Sequence, residues 1–218
     1  MIKITNVEIY GWDAAIRGMR NPMNSWDKSD SFWTYVCDYE TEREVKFEHF
    51  VGDNDLALMS KLSDAGDDHG KFLRFINVTL DINAPLYWWK EFDTYKVGTV
   101  ANSTSTMHKL HSRDLTRDDF SCEGLDEFCD NVLNLTINNL NHNRRMYLNT
   151  DNKEYWVRMV QLLPTSYNQL RTVQLNYAVL KAMYRARRNH KLAEWREFCA
   201  WIEKLPYAKE LIMNEANR

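Results

Sequence analysis

A chain of 218 residues, 44% hydrophobic and 13% aromatic, can bury a full core and fits one domain over 1–218. Eight tryptophans and eleven tyrosines against seven glycines and four prolines exclude a disordered or low-complexity chain, because burial of so many rings offsets chain entropy. A net charge of −3 gives no positive field to hold polymeric nucleic acid, and no apolar run approaches the roughly 20 residues of a membrane helix. The cysteines Cys37, Cys122, Cys129 and Cys199 form no CxxC pair, and Met1-Ile2-Lys3-Ile4-Thr5 has no secretory character. A cytoplasmic protein with reduced thiols is expected.

Ile2, Ile4, Val7 and Ile9 alternate as in a strand, and Asp13 to Met19 can start a short helix. Residues 31–51 mix aromatics and charges and leave strand pieces or an irregular excursion open. With Asp53 or Asn54 as N-cap, Leu58, Met59, Leu62 and Ala65 recur at helical spacing, and Gly66 ends the helix as C′. Ile76, Val78, Leu80 and Ile82 then alternate with Phe75, Asn77, Thr79 and Asp81, the period of a strand with one buried face. Pro85 suits the first turn of a helix through Phe92, followed by a loop near Lys96-Val-Gly and a hydroxyl-rich, uncharged stretch, Thr99 to Met107. From about Leu125 the pattern predicts helix to the end, in four segments divided near Asn149–Asn152, Pro164 and Asn189. Strands first and helices later predict an α+β fold.

The spacing predicts one helix from Thr172 to Asn189, with Val173, Asn176, Tyr177, Leu180, Met183, Tyr184 and Arg187 on a shared apolar face. An inward arginine needs a carboxylate or a ligand anion, so Arg187 is either an anion ligand or half of a buried ion pair. Arg158 interrupts an apolar stretch and reads as a snorkelling side chain or an anion ligand. His69 is a turn histidine or a site residue. Thr99 and Ser103 to Thr106 can offer donors to a phosphate, or form a polar surface turn. Dispersed histidines and the absence of HExxH, GxSxG, P-loop and GxGxxG motifs leave metal, serine hydrolase, nucleotide hydrolase and Rossmann readings without support.

Asn54-Asp-Leu-Ala-Leu-Met-Ser-Lys-Leu-Ser-Asp-Ala-Gly-Asp-Asp-His-Gly-Lys-Phe-Leu-Arg-Phe resembles the stretch of the flavin-dependent thymidylate synthases in which a helix leads to a Glu-His pair and a strand. Ala84-Pro85-Leu86-Tyr87-Trp88-Trp89-Lys90-Glu91-Phe92-Asp93-Thr94-Tyr95-Lys96 runs without a gap along that family's Ala-Pro-Ile-Phe-x-x-Arg-Gln-Trp-x-Arg-His-Arg. Val157-Arg158-Met159-Val160-Gln161-Leu162-Leu163-Pro164 is similar to its Ala-Arg-x-Val-Leu-Pro with two extra residues. Asn176 through Arg187 is similar to its Asn-x-x-x-Leu…Leu-Arg helix, and Leu192 to Arg196 to its Ala-Gln-x-Glu-Ile-Arg. The departures are local: Arg-His-Arg becomes Thr94-Tyr95-Lys96, a glutamate becomes Asn102, and Ser-x-Arg becomes Thr104-x-Thr106.

The resemblance implies a twisted, mainly antiparallel sheet with flanking helices and a helical C-terminal half. It implies FAD as cofactor, contacted by His69, Lys96 and Asn176, with NADPH and methylenetetrahydrofolate as co-substrates. A pyrimidine nucleotide such as dUMP would be held by Arg158, Arg187, Thr99, Ser103, Thr104 and Arg196, with Arg187 catalytic. The active sites would form between subunits of a homotetramer. A flavin-dependent enzyme that methylates the nucleotide and a catalytically lapsed flavin- or nucleotide-binding sensor are both compatible with these residues.

Overall fold

Ile76, Val78, Leu80 and Ile82 are all fully buried, so the period-two pattern that predicts a strand is the pattern the core uses. The computed structural model describes residues 2–37 and 45–214. In chain order the elements are β1 (Lys3–Tyr10), α1 (Trp12–Arg20), β2 (Phe32–Cys37), β3 (Val45–Phe50), α2 (Asp53–Asp64), β4 (Asn77–Pro85) and α3 (Leu86–Phe92). They continue as β5 (Val100–Ser103), α4 (Glu127–Thr150), α5 (Lys153–Leu162), β6 (Asn168–Asn176), α6 (Tyr177–Arg187), α7 (Ala193–Ile202) and α8 (Ala208–Leu211). One sheet has the order β1-β4-β6-β5, and β2 pairs antiparallel with β3 in a second. The fold is α+β with a twisted, mainly antiparallel sheet and flanking helices. Among the described residues no helix is long and apolar enough to cross a membrane.

The chain divides into two compact units, each assembled from three stretches of sequence. The first comprises Met1–Val7, Leu80–Val173 and Leu192–Glu197. Its interior is an aromatic cluster, Trp88, Trp89, Phe92 and Trp195, with ring centroids of Trp88 and Trp195 4.9 Å apart. Two of the indole N–H groups donate within the unit: Trp195 to Glu91 at 2.8 Å, and Trp89 to the Gln169 carbonyl at 3.0 Å. A second cluster joins Leu133, Ile137 and Leu140 of α4 to Met159 of α5 and to Leu110, Leu115 and Phe120.

The second unit comprises Glu8–Thr79, Gln174–Lys191 and Phe198–Arg218. Here Trp12 meets Tyr177 and Tyr207 edge to face, and the Tyr177 hydroxyl, pushed well up by burial, donates to the Pro206 carbonyl at 2.8 Å. Gly11 is required where α1 begins. Its φ is +98°, and a Cβ there would lie 1.9 Å from the Phe75 carbonyl oxygen.

Several expectations need correction. The α2 N-cap is Gly52 rather than Asp53 or Asn54; the Asp30 carboxylate instead accepts from the backbone N–H groups of Asn54 at 2.9 Å and Asp55 at 3.1 Å. Pro85 is the last residue of β4 and the N-cap of α3, not its first turn. Within residues 31–51, β2 and β3 form an antiparallel pair with Trp33 opposite His49 and Tyr35 opposite Phe47; the acidic residues between the strands lie outside the described residues. The hydroxyl-rich stretch contains strand β5. The largest correction falls on the helix expected over Thr172–Asn189. Its first turn is the end of strand β6, and α6 starts only at Tyr177.

Candidate functional site

In the second unit, α1, the turn after it and α2 enclose a groove of about 1090 Å³. Ala15, Ile16 and Met19 are the buried stripe of α1, and Gly18 allows the helix to approach the Phe75 ring, whose nearest atom would lie 3.3 Å from a Cβ. Met19, Met23, Leu58, Leu62, Phe72 and Phe75 form apolar walls. Lys28, Asp68, His69 and Lys71 stand at the rim, with Lys71 and Asp68 3.4 Å apart. His69 is exposed in the turn that follows Gly66, whose φ of +106° ends α2, and its N–H donates to the Gly66 carbonyl at 3.1 Å.

One wall is fixed by a buried ion pair. The Arg20 Nε donates to Asp55 Oδ1 at 2.6 Å, and its Nη atoms donate to the carbonyls of Ser25 and Lys28, both at 3.1 Å. Asp55 also accepts from the hydroxyls of Ser29 and Ser31 and from the N–H groups of Asp30 and Ser31. Burial by itself raises the Asp55 carboxyl; the hydroxyls of Ser31 and Ser29 and the Arg20 guanidinium outweigh it and hold the group below the usual carboxylate range. Residues 20–31 are thereby pinned against the start of α2.

The first unit holds a smaller, polar cleft of about 500 Å³. Thr104 and Ser105 line it with Lys3, Lys109, Arg113 and Asp81. Arg113 is occupied by Asp119, to which both of its terminal nitrogens donate. Asp81 accepts from Thr172 at 2.6 Å and Asn6 at 2.7 Å, and these two bonds hold its carboxyl low. Lys3 and Lys109 make no ion pair among the described residues, so they are the cations available to an anion there.

Residues 94–106, where the sequence departs from the family signature, are held at both ends from strand β6. Arg171, stacked on Trp89 at 4.2 Å, donates to Asp93 at 2.8 Å and to the Gln169 side-chain oxygen at 3.0 Å. Gln169 in turn donates to the Thr104 carbonyl at 2.7 Å. Between these anchors Lys96 is exposed, the Thr99 hydroxyl donates to the Tyr95 carbonyl, and Ser103 is exposed at the end of β5. Thr104 pairs with Leu170 through its N–H at 2.9 Å and its hydroxyl at 3.3 Å. The signal was available: Gln169, Arg171, Val173 and Leu175 repeat every second residue along β6.

Asn176 and Arg187 do not share a helix face, because Asn176 is the extended N-cap of α6. Its side-chain oxygen accepts from the Val179 N–H at 3.1 Å. Arg187, half-buried, faces His190 Nε2 at 3.1 Å. It also lies close enough to Cys199 to oppose, without cancelling, the burial and Glu203 charge that push that thiol up to about 11. The charged side chain that α6 turns fully inward is Lys181, 6% exposed, donating to the Ser63 carbonyl at 2.8 Å. Burial first and Arg185 second push its ammonium below the ordinary range, against the opposite pull of Asp64 and Asp67. Arg158 is half exposed on α5 and lies 3.4 Å from Glu154 one turn earlier. Arg196 is exposed on α7, whose start is tied down by a Tyr87–Glu194 hydrogen bond that, after burial itself, raises the tyrosine.

Of the expected site residues, His69 therefore lines the groove and Thr104 the cleft. Asn176 and Arg187 lie in the same unit as His69 but do not line its groove. Lys96, Thr99, Ser103, Arg158 and Arg196 lie in the same unit as Thr104 but do not line its cleft.

No family model matches the sequence. No curated protein sequence matches it either. Solved structures do. The crystal structure of thymidylate synthase X from Helicobacter pylori with FAD and dUMP superposes with a TM-score of 0.67, at 15% identity over 97% of this chain and 97% of that one. A second structure of flavin-dependent thymidylate synthase from Helicobacter pylori, complexed with FAD and dUMP, gives 0.65 at 16% identity over 95% and 98% of the two chains. The likeness covers nearly the whole chain, and the fold of this chain is that of the flavin-dependent thymidylate synthases.

Proposed function

We propose that this protein binds FAD and a pyrimidine nucleotide and modifies the nucleotide in the manner of a flavin-dependent thymidylate synthase. The observation that carries the reading is the end-to-end likeness in fold to proteins crystallised with FAD and dUMP. The groove beside His69 fits the cofactor chemically: methionine, leucine and phenylalanine walls suit a flat ring system, and Lys28 and Lys71 suit a pyrophosphate. Asn176 uses its oxygen to cap α6 and keeps its amide nitrogen for a ring carbonyl. His69, Lys96 and Asn176 are assigned to the flavin. Arg158, Arg187, Thr99, Ser103, Thr104 and Arg196 are assigned to the nucleotide, with Arg187 orienting the base.

Bound flavin supplies hydride chemistry that no side chain can. The chain's own part is to bind, orient and exclude water. Methylenetetrahydrofolate as one-carbon donor, NADPH as reductant, a cytoplasmic setting and a homotetramer complete this reading. Residues from several copies would then share one site.

A second reading is supported by one specific observation. Thr94-Tyr95-Lys96 and Thr104-x-Thr106 stand where the family signature has Arg-His-Arg and Ser-x-Arg. A lysine gives a point charge without the bidentate fork that arginine offers a phosphate, so a lapsed flavin- or nucleotide-binding module is the alternative.

The test has two stages. Purified protein should absorb in the blue and release flavin on denaturation; a colourless protein that gains no thermal stability from added FAD contradicts the first reading. With flavin bound, tritium release from labelled dUMP in the presence of folate and a reductant separates enzyme from binding module.

A further inference from the structure

Lys181 is the charged side chain that α6 buries, and the chemistry proposed above gives it no part. Replacing a buried charge by an apolar side chain of similar volume is often neutral for stability, so stability alone does not account for an ammonium there. Its direction does. The polar contacts of Lys181 converge on the last turn of α2: the Ser63 carbonyl at 2.8 Å, the Ser63 hydroxyl, and the Asp64 carboxylate at 3.8 Å.

That turn needs a donor from outside the helix, because the last four carbonyls of an α-helix have no partner within it. Lys61 finds one in the Ala65 N–H at 3.2 Å, and Ser63 finds one in Lys181. A cation at this end also meets the negative pole of the helix dipole. The basic residue that α2 itself carries in its last turn, Lys61, is exposed. The Ser63 hydroxyl extends the link by donating to the Leu211 carbonyl at 2.7 Å, so α2, α6 and α8 meet at one serine.

From this turn the chain runs directly into the rim of the groove. The Gly66 carbonyl accepts from the N–H groups of His69 at 3.1 Å and Gly70 at 2.9 Å. Gly70 is buried against the turn that Lys181 holds: a Cβ there would lie 3.9 Å from the Leu62 carbonyl oxygen and 3.9 Å from the Ser63 Cα. Leu62, Asp68, His69, Lys71 and Phe72 line the groove, whereas Ser63 and Lys181 stand behind its wall.

We infer that Lys181 is a positioning residue, which through Ser63 fixes the end of α2 and thereby aims the turn from Gly66 to Phe72, with His69, at the mouth of the groove. That the turn faces a flavin rests on the proposed function; that Lys181 sets its place does not.

Hydrogen exchange on the full chain without ligand tests it. Lys181→Met should leave urea unfolding at neutral pH nearly unchanged. Exchange of the His69 and Gly70 amides should nevertheless rise about tenfold, the loss expected for a charge-assisted hydrogen bond, while α1 and residues 20–31 keep wild-type rates. In histidine NMR spectra the His69 ring signals should move and those of His49 should not. Ser63→Ala, which removes the hydroxyl and keeps the lysine, should give a smaller rise at the same two amides, and decides the matter should the methionine variant not fold. Unchanged exchange at His69 and Gly70, or a rise spread evenly over the second unit, overturns the inference. FAD titration separates this from the proposed function. Where the wild type binds FAD, Lys181→Met should bind it about tenfold more weakly, because fewer molecules hold the competent turn, and equal affinity overturns the inference. A wild type that binds no FAD overturns the proposed function instead, and the exchange result then decides on Lys181.

Discussion

The groove of the second unit and the 94–106 segment of the first solve opposite problems. In the groove, a wall is fixed by Arg20 and Asp55, each saturated with hydrogen bonds, and the cavity between is apolar and open. In the segment, the fixed points are at its two ends, Asp93 and Thr104, while between them Lys96 is the one charged side chain and Val97, Val100 and Ser103 are exposed. The first arrangement holds an apolar cavity open; the second holds a backbone path along which this sequence has no arginine. The difference teaches that a fold can be kept by fixed points while the charge carried between them is free to vary.

The sharpest way to break this contrast is at the groove wall. Asp55→Ala strands a buried guanidinium and should cost about 3–5 kcal/mol in urea unfolding. The acid limb follows the same group. Its folded value lies below the unfolded value of about 3.9, so the stability it contributes is complete above that pH and is lost as pH falls through the folded value. A wild-type stability curve without that loss, relative to Asp55→Ala, would contradict the assignment.

Next in size is the clamp on the segment. Arg171→Ala removes the bond to Asp93, the hold on Gln169 and the stack on Trp89, and should cost about 2 kcal/mol in thermal or urea unfolding. Amide exchange should rise between Thr94 and Thr104 and not in α1 or α2. Uniform loosening of both regions would show that the segment is not separately anchored.

The smallest effect is expected at Lys181. Because its folded value lies below the unfolded value of about 10.4, the burial cost is full at neutral pH and is relieved as pH rises through the folded value towards 10.4. Lys181→Met should change neutral stability by less than about 1 kcal/mol and should lose the wild type's gain over that alkaline window. A flat alkaline limb in the wild type would argue that the lysine reaches water.

How much of this was legible in the sequence depended on whether one face of an element was purely apolar. Strand β4 was readable because Ile76, Val78, Leu80 and Ile82 alternate without exception, and α4, α5 and the Gly66 stop followed from helical spacing and turn residues. Strand β6 was not, because Gln169 and Arg171 occupy its inner face and Leu170 its outer one, so its alternation is written in polar residues. Val173 and Leu175 then merged with Tyr177 and Leu180 into a false helical stripe. That stripe gives Asn176 and Arg187 a shared face and leaves out Lys181, the charged side chain that α6 buries. At the site, His69 and Thr104 fall on cavities, and the resemblance that named them holds in the fold. The Arg20–Asp55 link joins residues 35 apart by geometry that no local pattern encodes, whereas the Arg171–Gln169 link lies on one face of β6 and is masked only because that alternation is written in polar residues.

The central claim is that the groove beside His69 still receives a flavin although the signature arginines are absent. Titrating the full chain with FAD and following flavin fluorescence tests it directly. Saturable binding at one FAD per chain, abolished by Leu62→Glu in the groove wall and retained in Ser103→Ala, is the expected result; no saturation, or equal affinity in Leu62→Glu, would contradict it.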